Sequence, residues 1–363
     1  MIVSVVYFIL FFTLFMVLLV LLLINRKHYP ASPDELPRIS ILIAARNEEH
    51  TITRCLTAIE QLDYPKEKIE VLIGNDGSTD RTQEVIEAFI EYKPSYKCIN
   101  ITGTIAQLKG KQNVLAQLSG LATSDYFFYT DADIAVPPIW VKAMLGAMQE
   151  DVGVVTGITT TQDHTLFAKL QALDWLYALG LMQVVSDMNL PVTTMGNNML
   201  LRRKAYEDVG GFENVPFSIT EDIAIFNKIL AKGWGFRNVY SKEVLALSTP
   251  ATVFNQFMHQ RKRWMKGSMH LPVYMVIILV LHSAYYPVLL PFGFYTSAGV
   301  VASIFVAKLG LQSLYLHICL RRLNRSAPWW LYFLFEVYLV ITSILLLVFY
   351  YLPVKTVWKG RKY

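Results

Sequence analysis

Three short polar signatures stand in fixed order between two hydrophobic blocks of the chain. They are Thr-Asp-Ala-Asp at 130–133, Thr-Glu-Asp at 220–222 and Gln-Arg-Lys-Arg-Trp at 260–264. In that order they offer a carboxylate pair for a metal ion, a general base and a cationic clamp for a departing pyrophosphate. Transfer of a sugar from a nucleoside diphosphate requires these three groups, so this is the chemistry that the signatures predict.

Asp131 and Asp133 are the candidate metal ligands. Two carboxylates one residue apart can bind Mg²⁺ or Mn²⁺, which in turn bridges the two phosphates of a nucleotide sugar. Ordinary turn aspartates have the same spacing. This pair, however, follows the apolar run at 126–129, which predicts a buried strand and favours the metal site.

Asp222 is the candidate general base. Displacement at C1 of the sugar passes through an oxocarbenium-like state, and the acceptor hydroxyl must lose its proton as it attacks. Acidic residues in the first turn of a helix also interact favourably with the helix dipole, which is the alternative explanation for Glu221 and Asp222. We predict the base at Asp222 and place Glu221 beside the acceptor.

The third signature combines a guanidinium, an indole and an amide. Arg263 can donate to phosphate in bidentate fashion, and Trp264 gives an apolar platform of the kind on which sugars stack. Gln260 lies three residues before Arg263 and therefore on the same helical face. A basic juxtamembrane cluster that binds lipid is the alternative, but that role needs neither Gln260 nor Trp264 at this spacing.

The residues around the first signature alternate between two patterns. Helical patterns separate short apolar runs at 39–44, 70–74, 98–102, 126–129 and 152–156. This alternation predicts an α/β fold, a mainly parallel Rossmann-like sheet with helices on both faces. Ligands bind such sheets at the carboxyl ends of strands, where Asn47-Glu48, Asp76-Gly77 and Asp131-Ala132-Asp133 all lie. No G-x-G-x-x-G follows the first strand and no P-loop motif occurs, which argues against a dinucleotide site and a P-loop kinase.

The first hydrophobic block predicts a transmembrane anchor over residues 1–25. Residues 2–24 contain no charge and span roughly 34 Å as a helix, enough for a bilayer core. A cleaved signal peptide is disfavoured because a basic n-region and an Ala-x-Ala site are missing. Arg26 and Lys27 follow directly, so the positive-inside rule places the next domain in the cytoplasm. The protein is therefore expected in the plasma or inner membrane.

The second block, 270–353, predicts two or three further spans near 273–291, 294–320 and 329–352. Two basic clusters flank the last of these: Arg321, Arg322 and Arg325 before it, and Lys355, Lys359, Arg361 and Lys362 in a tail at 354–363. Both clusters lie inside only if 329–352 is a re-entrant hairpin or lies in the membrane interface. The sequence leaves the side of the tail open.

The net charge of +5 comes mainly from these membrane-flanking clusters. It predicts attraction to anionic lipid and to phosphate, and no nucleic-acid partner. The three cysteines have neither disulfide nor metal spacing, and the seven histidines form no ligand cluster.

The joint order of the signatures resembles the family 2 glycosyltransferases. They are Asp76 in Asn-Asp-Gly-Ser, Asp131-x-Asp133, Thr220-Glu221-Asp222 and Gln260-x-x-Arg263-Trp264. The resemblance is to the membrane-integrated branch, which includes cellulose, chitin and hyaluronan synthases and ceramide and carotenoid glucosyltransferases. It covers residues 37–269 and implies a GT-A fold there. It also implies a nucleoside-diphosphate sugar donor (UDP-linked in our prediction), a divalent metal and inversion at the anomeric carbon.

The same resemblance assigns further residues. Asp76 would meet the uracil or ribose, Glu48 would be a second nucleoside contact and Lys111 would lie near the donor phosphates. Asn197 and Asn198 would line the acceptor site. Asn-Asp-Gly-Ser is also good turn chemistry, and a solvated lysine is the alternative for Lys111.

Three functions remain open. The first is glycosylation of a hydroxyl of a membrane lipid, and the second is a processive polysaccharide synthase that exports its chain. Synthases of this branch usually have more spans than the three or four available here, and the ending at 357–361 resembles carotenoid-type enzymes, so the sequence favours the lipid. Transfer to a polyprenyl phosphate is disfavoured because an anionic acceptor needs no base. The third function, a silent membrane scaffold, would be expected to lack one of the signature residues, and all are present.

Overall fold

The structure, a computed structural model, describes residues 1–218, 220–268 and 271–352, with the backbone of 357–358 and 361–362. Its centre is a seven-stranded sheet with the strand order β3-β2-β1-β4-β7-β5-β8, beside a two-stranded sheet of β6 and β9. The strands are β1 Ile39–Ala45, β2 Ile69–Asn75, β3 Tyr96–Asn100, β4 Tyr126–Asp131, β5 Val152–Thr156, β6 Ile158–Thr161, β7 Asn198–Arg202, β8 Gly235–Asn238 and β9 Leu245–Ser248. Within the described strands of these two sheets, only the pairs that β7 makes with β4 and β5 are antiparallel. The predicted mainly parallel sheet is confirmed.

Helices pack on both faces of the large sheet, because alternate residues of a strand point to opposite sides. In chain order the helices are α1 Ile2–Ile24, α2 Ile52–Glu60, α3 Thr82–Ile90, α4 Gly110–Leu121, α5 Trp140–Gly146, α6 Leu166–Asp187, α7 Arg203–Asp208, α8 Glu221–Ala231, α9 Phe254–Ser268, α10 Val273–Ser283, α11 Tyr285–Phe292, α12 Ala298–Arg322 and α13 Trp329–Tyr351. On β1, Ile41 and Ile43 join the buried cluster that contains α2 and α5, whereas Leu42 joins the cluster that contains α4 and α8. We call residues 37–268 the sheet domain.

Within the described residues, four helical segments are long and apolar enough to cross a membrane: Ile2–Ile24, Val273–Tyr295, Ala298–Arg322 and Trp329–Tyr351. The second comprises α10, α11 and the short turn after them. Apolar helices therefore flank the sheet domain on both ends of the chain, which confirms the predicted fold class. In the predicted tail, Val357–Trp358 pairs antiparallel with Arg361–Lys362; Lys355 and Lys359 lie outside the described residues.

Helix α6 joins the sheet domain to the apolar helices. At its end, Asn25 Nδ2 beyond α1 donates to the backbone oxygen of Asp187 over 3.1 Å. In its middle, a Cβ added at Gly180 would lie 2.6 Å from Cys319 Sγ on α12. The missing side chain thus lets α12 approach α6 closely, and the sheet domain is fixed against the membrane helices on this side.

Candidate active site

The predicted site residues converge on one cavity of about 880 Å³. It opens at the carboxyl ends of β1, β2 and β4 and is closed by α6, α8 and α9. Its lining includes Glu48, Asp76, Lys111, Asp131, Asp133, Asn197, Glu221, Asp222, Gln260, Arg263 and Trp264. Of the residues that the sequence proposed, Asn198 alone does not line the cavity. Residues far apart in the chain thus share one space, as the strand-end argument expected.

One end of the cavity is built by the loops after β1 and β2. The Asp76 N–H donates to the Ala45 oxygen over 2.9 Å, and Arg46 Nη1 donates to the Asp76 oxygen. The Glu48 N–H donates to Thr82 Oγ1 over 2.7 Å. These bonds hold Asp76, Glu48 and Arg46 at the mouth of the sheet, where the nucleoside contacts were predicted.

The loop after β2 also has the turn chemistry that the sequence offered as an alternative. Asn75 Oδ1 accepts from the Ser78 N–H over 3.2 Å, and Gly77 has a φ of 60° that favours glycine. Asp80 accepts from the Thr82 N–H and hydroxyl at 3.0 and 2.5 Å. Burial raises the pKa of Asp80, but these hydrogen bonds outweigh it and lower the pKa below its usual value. The turn leaves Asp76 on the lining of the cavity, where the nucleoside contact was predicted.

The two candidate metal ligands stand at the end of β4. Asp131 is its last residue, and Asp133 Oδ2 accepts from Ser248 Oγ over 2.8 Å. Asp131 Oδ1 makes an ion pair with Lys111 Nζ. No group of three or more His, Cys, Asp or Glu gathers in the described part of the chain. The pair thus fits a hard cation that takes its other oxygens from a diphosphate and water.

Lys111 links the metal ligands to helix α8. Its Nζ lies 2.5 Å from Asp131 Oδ1 and 3.3 Å from Glu221 Oε1, and its side chain is only 14% exposed. Burial alone would lower the pKa of Lys111, but the Asp131 and Glu221 carboxylates reverse this and raise it above its usual value. Lys111 therefore stays cationic at the place where donor phosphates were predicted.

Glu221 and Asp222 have different surroundings although they are adjacent. Burial raises the pKa of Glu221, and the nearby Lys111 only partly offsets this. Asp222 Oδ2 instead accepts from the Gly196 N–H over 2.7 Å, and Oδ1 accepts from the Ile223 N–H over 2.9 Å. A Cβ at position 196 would lie 2.9 Å from the Cβ of Asp222, so glycine permits this approach. The geometry fixes the orientation of Asp222, which suits a base.

Helix α9 carries the third signature along the cavity wall. Trp264 packs edge-on against Trp175 of α6, with ring centroids 4.7 Å apart at 80°. The Arg261 guanidinium carbon lies 4.5 Å from the Trp264 ring centroid, and Arg261 Nη2 lies 2.7 Å from Asp174 Oδ2. Trp264 is thus held between two side chains, with Arg263 and Gln260 beside it on the lining.

Several lining residues were missed by the sequence reasoning: Arg46, Asp174, Trp175, Ser248 and Arg261. Asp174 and Trp175 lie in α6, and an acidic residue inside a largely apolar helix is a usable signal. Arg261 was one of several basic residues. Its partner Asp174 precedes it by 87 positions in the sequence, so no local pattern could identify the pair.

The two asparagines at the start of β7 separate, because successive residues of a strand face opposite sides. Asn197 lines the cavity, and its Oδ1 accepts from Thr159 Oγ1 over 3.1 Å. Asn198 is fully buried; Oδ1 accepts from Trp140 Nε1 at 2.8 Å. Its Nδ2 donates to the backbone oxygens of Ile158 and Val244, each at 2.9 Å. The expectation that Asn198 lines the acceptor site is wrong: it is a scaffold residue.

Replacing Asn198 with alanine leaves an indole N–H and two backbone carbonyls without this buried partner. Each buried unsatisfied polar group costs about 1–3 kcal/mol, so we expect a loss in the free energy of unfolding of roughly 2–4 kcal/mol. Asn197→Ala, the matched control, removes one half-buried contact and should change stability by much less. Thermal unfolding of both variants in detergent checks this; equal losses would contradict the scaffold role.

Three comparisons place the chain among known proteins. It is 28% identical over 247 residues to "Probable glycosyltransferase YdaM" of Bacillus subtilis (strain 168), which covers 65% of this chain and 56% of that protein. It is 30% identical over 238 residues to "Poly-beta-1,6-N-acetyl-D-glucosamine synthase" of Staphylococcus aureus (strain COL), covering 64% and 55%. The chain thus spans little more than half the length of these curated relatives.

A solved structure supports the GT-A fold. The mannosyltransferase PcManGT from Pyrobaculum calidifontis, in complex with GDP-Man and Mn²⁺, superposes with a TM-score of 0.57 at 18% identity, covering 88% of this chain and 98% of that one. The family model described as "Glycosyl transferase family 21" matches residues 5–363. This family is of the family 2 type, which confirms the resemblance found in the signatures and the class of enzyme. The chain belongs to glycosyl transferase family 21.

Proposed function

We propose that the protein is an inverting, membrane-bound transferase that moves a sugar from a nucleoside-diphosphate sugar to a hydroxyl of a membrane lipid. The observation that carries this proposal is the shared cavity. Asp131, Asp133, Asp222 and Arg263 all face the same space, so donor, metal and base can meet one acceptor. Relatives named as glycosyltransferases support the reaction class.

The donor end takes its support from the strand loops. The similar mannosyltransferase is in complex with GDP-Man and Mn²⁺, and here Asp131 and Asp133 would hold Mg²⁺ or Mn²⁺ at the end of β4. When bound, the metal supplies charge stabilisation to the diphosphate. Asp76 and Glu48 line the end of the cavity that we assign to the nucleoside of the donor. We propose that the donor is a UDP-linked sugar.

The transfer step is assigned to residues of α8 and α9. Asp222, oriented by the Gly196 N–H, accepts the proton of the attacking hydroxyl. The Arg263 guanidinium and the Lys111 ammonium donate to the departing diphosphate, whose charge grows as the C1–O bond breaks. Trp264, held by Trp175, gives the sugar an apolar surface. Gln260 lies on the same wall.

The acceptor end of the cavity is apolar and reaches the membrane helices. Its lining there includes Ala178, Leu179 and Met182 of α6, with Met195 and Leu271. Leu271 lies two residues before α10, so this wall is continuous with a membrane-spanning segment. A lipid with its hydroxyl at Asp222 would keep its chains against this surface. The basic residues at 26 and 27 support a cytoplasmic sheet domain.

A processive polysaccharide synthase is the second candidate. The observation that favours it is the 30% identity to a poly-N-acetylglucosamine synthase, which extends over 238 residues. Against it stands the small number of apolar helices in the described chain. The two functions differ in product size and solubility.

A product assay distinguishes these candidates. Purified protein is incubated with total membrane lipid, Mn²⁺ and a panel of labelled UDP- and GDP-sugars. We expect label in a discrete organic-soluble species, with a UDP-sugar and native protein only. Label in a large water-soluble polymer would favour the synthase. No transfer with any donor would contradict both and leave the silent scaffold.

A further inference from the structure

Helix α13 contacts the sheet domain from Phe335 to its carboxyl end, although it is long enough to span a bilayer. We propose that α13 does not cross the membrane. It lies in the membrane interface on the side of the sheet domain, and its carboxyl end binds helix α9 there. This inference concerns the arrangement in the membrane and is independent of the proposed reaction.

The first half of α13 packs on α6. The rings of Phe335 and Tyr177 are 5.8 Å apart between centroids. One helical turn further on, the Tyr338 hydroxyl donates to Asp174 Oδ2 over 3.3 Å. Asp174 is also the ion-pair partner of Arg261, so this part of α13 reaches the wall of the candidate active site.

The second half of α13 ends against α9. Lys262 Nζ donates to the backbone oxygens of Phe349 and Leu352, both at 3.0 Å. The ring of His259 lies 5.2 Å from that of Phe349 between centroids. The last carbonyls of a helix lack partners within the helix and carry partial negative charge, so a lysine there is favourable. The carboxyl end of α13 is therefore bound to the signature helix.

The ends of the other apolar helices show on which side of the membrane the carboxyl end of α13 lies. Asn25 beyond α1 bonds Asp187 of α6, and the Arg322 guanidinium carbon at the end of α12 lies 5.4 Å from the ring centroid of Tyr240. These ends touch the sheet domain. The opposite ends meet each other, with Phe8 and Phe292 at 5.5 Å between centroids.

Helices α1, α10–α11 and α12 thus account for three crossings, after which the chain is back on the sheet-domain side. A 23-residue helix is roughly 34 Å long, so a crossing α13 would carry Phe349 to the opposite side. The contacts with Lys262 and His259 on α9 are incompatible with that placement. Arg321, Arg322 and Arg325, with the described strand Arg361–Lys362, then lie on the same side as Arg26 and Lys27, which satisfies the positive-inside rule.

The outer face of α13 fits the lipid of that leaflet. A stripe of apolar residues at helical spacing is exposed: Phe333, Val337, Ile341, Ile344 and Val348. Aromatic residues stand at both ends, Trp329 and Trp330 at one and Tyr351 at the other. Glu336 points the other way and is paired with Lys308 inside the protein. This is the pattern of a helix that lies in an interface with its apolar face in the acyl chains.

Two epitopes test the topology without any change to the fold. One precedes Met1, one follows Tyr363, and a protease site at the exposed Tyr92 loop reports the side of the sheet domain. In sealed vesicles with the sheet domain outside, we expect protease to remove the C-terminal epitope and spare the N-terminal one. If both epitopes are spared, α13 crosses and the proposal is overturned. If both are lost, α1 does not cross, and the count of crossings on which the proposal depends is wrong.

A cross-link in native membranes tests the contact itself. We expect the pair His259→Cys and Phe349→Cys to form an oxidant-induced disulfide, and the matched pair His259→Cys and Phe292→Cys, at the far end of α11, to form none. Single-cysteine variants control for native Cys55, Cys98 and Cys319. A test pair that stays reduced in protein with a normal size-exclusion profile contradicts the contact between α13 and α9. Neither readout uses activity, so failure of the proposed function leaves this inference standing.

Discussion

Replacing Asp222 with asparagine is expected to lower kcat for sugar transfer by roughly 10²–10⁴-fold, the usual contribution of a general base. Asparagine keeps the shape and can still accept from the Gly196 N–H that orients Asp222, but it cannot take the acceptor proton. The KM for the donor should change little, because donor binding is assigned to the strand-end loops. Initial rates with labelled donor give both parameters.

Asp163→Asn is the matched control for Asp222→Asn, since Asp163 is exposed and does not line the cavity. It should leave kcat and KM unchanged. If Asp222→Asn retained most of its kcat while Glu221→Gln lost it, the base would be Glu221 and our assignment would be wrong. A rise in KM alone would show that Asp222 binds donor.

The second large effect is expected at the carboxylate pair. Asp131→Asn should weaken binding of a nucleotide sugar in the presence of Mn²⁺ and lower transfer by roughly 10²–10³-fold, since metal ligation is worth several kcal/mol of charge stabilisation. Chelation of the metal from the native protein should have a similar effect. Titration calorimetry with donor, with and without Mn²⁺, measures the first part.

The control for Asp131→Asn lies beside the other end of the same strand. Asp125 precedes β4 at its opposite end and is exposed, so Asp125→Asn should bind and transfer normally. Binding that is equally strong with and without Mn²⁺ in native protein would contradict the assigned role of the pair. The cation that binds the donor phosphates would then be the Lys111 ammonium.

The parts of the site that follow strand ends could be predicted because local sequence determines them. A buried apolar run followed by Asp131 and Asp133 places the carboxylates at one edge of the sheet, whatever the rest of the chain does. The same holds for Asp76 after β2. The mainly parallel sheet follows from the alternation of strands and helices, and the resemblance to the family implied the GT-A fold. The antiparallel insertion of β7 between β4 and β5 does not follow from the alternation.

The parts that depend on contacts between distant helices could not be predicted. Asp174 and Arg261 meet only because α6 and α9 pack together, and Asn198 faces inward because of the register of β7 against β4. The position of α13 depends on Lys262 and Tyr338, which look like ordinary juxtamembrane and aromatic residues in sequence. The hydropathy of residues 329–351 alone predicts a helix long enough to cross the membrane. The contacts of this helix with α6 and α9 decide whether it crosses.

The central claim is that one cavity couples cleavage of a nucleotide sugar to glycosylation of a membrane lipid. The most direct test counts both products in one reaction of purified protein with donor, Mn²⁺ and lipid. We predict one nucleoside diphosphate released per lipid glycosylated, with both products formed at least about 10²-fold more slowly by Asp222→Asn. Release of the nucleotide without a glycosylated lipid, or equal product from Asp222→Asn, would contradict the account.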